Sequence, residues 1–222
     1  MSAGIRIYNA NSQVLIDSNY KNIALNKVID LTGVTNTNYE LGDKSVVIVE
    51  ELPAIGSVMS RVRLSYNNGY RAYVSNIGKI AQKLFVFGEP EQLPKGSAGF
   101  IIYKNGTSEV AFDSRLRYLQ IIGEISNDMP INPNKKYGII RRVPSGDNHY
   151  SQHTGTRGGR YYYVEQIWHE SYCIDNGKLK IFDHYTRNIN SWFGDRPIPN
   201  VSIRYDIPYK PLLVDLTQVY GE

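Results

Sequence analysis

Cysteine is nearly missing: Cys173 stands alone in 222 residues. An intrachain disulfide is therefore excluded, and with it the small secreted scaffold held together by cross-links. Cys173 itself reads as a buried or half-buried spectator. No run of 18 apolar residues occurs, so no membrane insertion is predicted. Met1-Ser2-Ala3-Gly4 leads straight toward the first strand without a basic region or an apolar one, so synthesis in a cytosol is expected. Excess charge of one sign is missing too: 25 Lys and Arg face 21 Asp and Glu, a formal net charge of +4, interleaved along the chain. With no basic block to track phosphates, no nucleic-acid partner is expected. Nucleophile motifs are equally scarce, with neither a Gly-x-Ser-x-Gly elbow nor a Cys beside a His. Carboxylate pairs such as Asp113 with Glu109, or Asp183 with Asp175, are not singled out by spacing among the 21. The expectation is a non-enzymatic protein with no cofactor.

Amphipathic helical periodicity is absent as well, whereas strand patterns recur. Tyrosine is abundant, 18 residues against 6 Phe and 2 Trp. Tyr packs its ring and keeps its hydroxyl wet, which suits half-buried sheet faces and polar contact surfaces.

The chain contains an internal repeat. Ala3-Gly4-Ile5-Arg6-Ile7-Tyr8-Asn9, then Val14-Leu15-Ile16-Asp17-Ser18, returns as Ala98-Gly99-Phe100-Ile101-Ile102-Tyr103, then Val110-Ala111-Phe112-Asp113-Ser114. The second copy has one more residue between Tyr and Asp, in the polar turn where hairpins absorb length changes. Each copy predicts a hairpin with Ile5 and Ile7, or Phe100 and Ile102, facing inward opposite Val14 and Ile16, or Val110 and Phe112. Asp17 and Asp113 are expected to close their copies by accepting backbone N–H groups in an Asx-type turn. This signature of Gly, apolar, any, apolar, Tyr, polar turn, apolar, any, apolar-Asp-Ser resembles hairpins of tail and tail-tip accessory proteins of tailed bacteriophages. The resemblance spans about 20 residues in each of two places and implies a virion component without catalysis. It marks a scaffold, so no functional residue is carried over.

Between the copies, Val46-Val47-Ile48-Val49 predicts a central strand covered on both faces. Val58 to Tyr66 and Tyr70 to Val74 predict a hairpin about Asn67-Asn68-Gly69, and Lys83 to Gly88 another strand. Thr32 to Gly42 reads as a loop and Ser75 to Gln82 as one short helical turn. Glu89 to Ser97, with Pro90 and Pro94, is the expected connector. The fold expected is all-β with little helix, in two related sandwich-like modules, residues 1–95 and 96–222. In the second module Pro144 to Arg160 reads as a 17-residue irregular insertion, and Arg187 to Asn200 as an irregular aromatic loop. Asp175-Asn176-Gly177 is the expected turn between strands, and Leu212 to Val219 the closing strand.

Three constellations invite a functional reading. All four His fall in one window, His149, His153, His169 and His184. His149 and His153 are weak metal candidates, because that spacing suits a helix face and the surrounding Ser, Gly, Asn and Thr do not; polar surface His is the stronger reading. Thr154-Gly155-Thr156-Arg157-Gly158-Gly159-Arg160 exposes backbone N–H groups and two guanidiniums, but it lacks a phosphate-loop ending, so a surface loop is favoured over an anion site. Arg157, Arg160, Tyr161, Tyr163, Trp168, Trp192 and Phe193, with Tyr162 among them, have the composition of a partner-binding surface, since rigid rings bury area at small entropic cost. The competing reading is that Tyr161 and Tyr163 face one way into a core and Tyr162 the other.

The expected role is assembly within a phage tail, as a tip, baseplate or fibre-attachment component bound to other tail proteins, as a homo-oligomer or symmetric ring located in the virion. The alternative is a carbohydrate- or receptor-binding module with Trp168 or Trp192 stacked on sugar rings. A hydrolase on a β-scaffold is the third.

Overall fold

A computed structural model describes residues 6–8, 14–17, 22–53, 61–66, 68–75, 82–90, 99–104, 106–141, 147–157, 160–196, 201–204 and 210–220. In chain order the strands are β1 (Arg6–Tyr8), β2 (Val14–Asp17), β3 (Ala24–Asp30), β4 (Asn36–Gly42), β5 (Val46–Glu51), β6 (Arg61–Tyr66), β7 (Tyr70–Ser75), β8 (Lys83–Gly88), β9 (Ile101–Tyr103) and β10 (Val110–Asp113). There follow β11 (Gln120–Glu124), β12 (Met129–Pro130), β13 (Tyr137–Ile140), β14 (Asp147–Arg157), β15 (Arg160–Asp175), β16 (Lys178–Gly194), β17 (Val201–Arg204) and β18 (Leu212–Asp215). One four-residue helix, α1 (Thr217–Tyr220), is the only helix among the described residues, so the fold is all-β. No described helix is long and apolar enough to cross a membrane.

The repeated sequence makes a repeated backbone. β1 and β2 pair antiparallel as Arg6↔Asp17, Ile7↔Ile16 and Tyr8↔Val14, and β9 and β10 as Ile101↔Asp113, Ile102↔Phe112 and Tyr103↔Val110. Aligned copy on copy, the registers coincide, and the irregularity falls at the same step, beside Leu15 in one and at Ala111 in the other. In the second copy Asp113 is fully buried; its Oδ1 accepts the Arg115 backbone N–H at 3.0 Å, the Asx turn expected, and Arg115 adds two side-chain hydrogen bonds. Inward facing is only partly as expected: Ile102 is buried and Phe100 is exposed, and Ala111, the unpaired residue of the bulge, takes a core position.

The centre of the molecule is a six-stranded antiparallel sheet in the order β11-β18-β13-β5-β8-β3. Its two outer strands meet: an antiparallel bridge joins Ala24 to Tyr118, with Leu25 N–H donating to Arg117 C=O at 2.7 Å and Leu119 N–H to Ile23 C=O at 3.0 Å. The sheet thus curls until it closes at one end, which removes the exposed edges of β3 and β11 there. Its inner face buries Val49, Phe85, Phe87 and Val214, with Leu216 and Val219 from the α1 segment. Gly138 faces inward because nothing larger fits, an added Cβ lying 2.5 Å from Val49 Cγ1 and 2.8 Å from Leu216 Cδ1.

The outer face is covered twice. Leu84 and Val86 pack against the three-stranded sheet β4-β7-β6 through Leu41, Val62, Ala72 and Val74. Tyr137, Ile139 and Leu213 pack against Tyr172 and Leu179 of β15 and β16. β8 is therefore buried on both sides, which is why Leu84-Phe85-Val86-Phe87 is a continuous apolar run. Burying each of these side chains contributes roughly 1.5–3 kcal/mol.

Several expectations are corrected. The sheet takes β3, β5 and β8 from before residue 95 and β11, β13 and β18 from after it, with Gly138↔Glu51 and Ile139↔Glu50 joining the halves, so the expected modules 1–95 and 96–222 share one sheet. The connector at 91–97 and the helical turn at 76–81 lie outside the described residues. The loop expected at 32–42 contains β4, whose Asn36, Asn38 and Glu40 occupy the wet face of a sheet that buries Leu41. The insertion at 144–160 contains the 11-residue strand β14, and residues 187–194 of the aromatic loop belong to β16. Leu212 to Val219 is a strand only to Asp215, whose Oδ1 accepts the Thr217 N–H and turns the chain into α1.

Candidate functional site

β14, β15 and β16 form a ribbon in the five-stranded sheet β12-β16-β15-β14-β17. Asn176 and Gly177, both at positive φ (48° and 71°), make the tight turn from β15 to β16, the geometry an Asn-Gly pair supplies. This turn lies at the anchored end: Ile174 and Ile181 join Tyr172 and Leu179 against the central sheet, and Cys173 is buried, its thiol pushed up by burial and the nearby Asp175. Ten residues along β15 from Tyr172, about 33 Å of extended chain, is Tyr162 at the other end.

A buried ion pair fastens the anchored end. Arg141 Nε donates to Glu50 Oε1 at 2.8 Å, Nη1 donates to the Glu170 carbonyl at 2.5 Å, and the guanidinium lies 5.1 Å from the centre of the Tyr172 ring. The Tyr172 hydroxyl donates to the Glu170 carboxylate. Glu50 Oε2 is buried with no hydrogen-bond partner, and burial holds the Glu50 carboxyl above its ordinary value against the pull of Arg141. One cation thus joins β5 of the central sheet to β15 of the ribbon.

At the far end, register sorts the candidate partner-binding residues onto two faces. Gly155, Tyr162 and Phe193 are in register across three strands, as are Thr154, Tyr163 and Trp192 one step on. Successive side chains alternate sides, so Tyr161, Tyr163 and Trp192 share one face with Gly194, and Tyr162 and Phe193 share the other with Arg160. On the first face Tyr163 is 3% exposed and stacks on Trp192 at 5.1 Å and 29°, and a Cβ on Gly194 would sit 2.5 Å from the Tyr163 ring. These three are packing residues. On the second face Phe193 is 50% exposed, Tyr162 tilts against it at 5.3 Å, and Arg160 and Gly155 are exposed. The set expected as one surface is therefore divided by the sheet, because consecutive strand residues point to opposite sides.

The backbone register places Arg157 directly opposite Arg160, and Trp168 opposite His149 on one side and Tyr185 on the other; the side chains of Arg157, Trp168 and the four His lie outside the described residues. His149 and His153 are on β14, not on a helix. Four strand residues put their Cα atoms about 13 Å apart, whereas two imidazoles on one ion bind at about 2 Å each, so the spacing that suggested a shared metal no longer does. Among the described residues no group of three His, Cys, Asp or Glu is placed to hold an ion. Of the carboxylate pairs considered, Asp113 is clamped by Arg115, which holds its carboxyl below the usual range, and Glu109 pairs with Lys104 at 3.0 Å. Gly155, which the sequence placed in a surface loop, lies on β14 in register with Tyr162.

No protein-family model, curated protein or solved structure matches this chain.

Proposed function

We propose that this chain is a non-enzymatic structural protein of a phage tail, working by protein–protein assembly within the virion. The observation that carries this reading is the duplicated hairpin: two copies of one signature, about 95 residues apart, share register and bulge position. A unit kept to that detail is a structural module, and it is this signature that resembles the tail and tail-tip proteins. Two-stranded hairpins are marginal alone and gain stability from further strands, which fits a protein whose surroundings are other subunits of a tail, in a homo-oligomer or a symmetric ring. The test is mass spectrometry and immunogold microscopy of particles assembled from the genome that carries this gene. Tail labelling supports the proposal, and particles that lack the chain refute it.

A second reading, recognition of a carbohydrate or receptor at the host surface, is favoured by the exposed Phe193 beside Tyr162 at the far end of the ribbon. The sequence pointed to Trp168 or Trp192 as the stacking ring; the Trp168 side chain lies outside the described residues, and the Trp192 ring is engaged with Tyr163. Phe193 takes the part in this version, and loss of glycan binding on Phe193→Ala is its test.

A further inference from the structure

We propose that the Gly155–Tyr162–Phe193 face of the ribbon is a binding site for an acidic saccharide, one whose sugar rings carry carboxylates. The inference rests on the second reading above and names its ligand and its residues. Three observations combine. First, Phe193 is half exposed and the ring of Tyr162 leans on it at 5.3 Å, an open aromatic step of the kind on which the C–H face of a sugar ring packs. Second, the neighbouring position in the same cross-strand row is Gly155, where an added Cβ would find nothing nearer than the Tyr162 carbonyl oxygen at 3.9 Å, so the step has an empty floor beside it. Third, the register places the exposed Arg160 in the next row outward, on the face that Tyr162 and Phe193 share. Arg160 is exposed and makes no ion pair among the described residues. The planar guanidinium fork of Arg160 matches a carboxylate in two parallel hydrogen bonds. A ring on the step and a carboxylate on Arg160 describe a uronic or sialic acid unit rather than a neutral sugar.

The whole purified chain is titrated by calorimetry with a galacturonic acid hexamer, a sialic acid hexamer and the neutral maltohexaose. The acidic hexamers are expected to bind and the neutral one at least about tenfold more weakly, with acidic binding weakened by raising salt from 50 to 500 mM. Gly155→Val is the decisive variant: it fills the floor at a position with room for it, keeps or raises Tm because a β-branched residue replaces Gly in a strand, and is expected to weaken binding at least about tenfold. Arg160→Gln is expected to lower acidic binding by a similar factor and to flatten its salt dependence. If only the neutral hexamer binds, sugar recognition stands and the acidic assignment is overturned. If acidic hexamers bind equally to wild type and Gly155→Val, the location is overturned. Binding of no hexamer overturns both this inference and the second reading, leaving the tail proposal to its own test on particles.

Discussion

Replacing Arg141 by Met removes the cation between the central sheet and the ribbon and leaves Glu50 buried without it. The structure bounds the cost. Glu50 has one carboxylate oxygen already unpartnered, and burial alone favours its neutral form, so the deprived group takes up a proton instead of remaining charged. Protonating a glutamate at pH 7, against its ordinary value of 4.5, costs about 1.4 kcal/mol per pH unit, or roughly 3 kcal/mol; at pH 5 the cost falls below about 1 kcal/mol. Loss of the bond to the Glu170 carbonyl and of the stacking on Tyr172 adds a pH-independent contribution of about 1–2 kcal/mol. The sign follows from linkage: a carboxyl whose folded value is raised contributes stability below its unfolded value and loses it as pH rises through the folded one. Arg141→Met is thus expected to lower Tm by roughly 10–15 °C at pH 7 and only about 5 °C at pH 5, each relative to wild type at that pH. The double variant Glu50→Leu, Arg141→Met removes both charges and is expected to return toward wild type with no extra pH dependence. Equal losses at both pH values, or a double variant as unstable as the single one, would refute the reasoning.

Gly138→Ala forces a Cβ between Val49, Leu216 and the Glu50 carbonyl oxygen 3.0 Å away, and is expected to destabilise by about 1–3 kcal/mol with an unchanged denaturant slope; an unshifted urea midpoint would show that the inner face has slack. Gly194→Val displaces the Tyr163 ring, so emission from Trp192 is expected to shift to the red at a cost of about 1–3 kcal/mol, and a spectrum identical to wild type counts against the stacked pair. Asp113→Asn loses the charge that Arg115 clamps at the end of the second hairpin, costing about 1–3 kcal/mol at pH 7. Because the Asp113 carboxyl is held below its ordinary value of 3.8, that advantage exists above 3.8 and is lost as pH falls through the folded value, so the gap between the two proteins closes on acidification and a constant gap contradicts the clamp.

Local features were legible. Alternating apolar residues about Asn-Gly turns predicted the hairpins at Asn68 and Asn176, both of which hold positive φ, and the apolar runs predicted a strand covered on both sides at 46–49 and another strand at 83–88. The duplication was legible because a hairpin is a local structure: its turn, its alternation and its closing Asp-Ser all lie within about 16 residues. β4 and β14 were not, for one reason. Asn, Thr, Ser and Gly are loop formers when nothing pairs with them, and they enter a strand once a neighbour supplies the hydrogen bonds, as β7 does for β4 and β15 for β14.

The sequence by itself determined that the chain is built of strands, that one hairpin occurs twice, and that no cross-link holds it. Only the tertiary structure decided that the two halves share one sheet, since the pairing of Glu50 and Glu51 with Ile139 and Gly138 joins segments nearly 90 residues apart and leaves no mark in either. Only the tertiary structure, likewise, divided the aromatic residues of the ribbon into a packed face and an open one. Which Tyr is free depends on register with a strand 30 residues later, and a one-residue slip there would exchange the two faces.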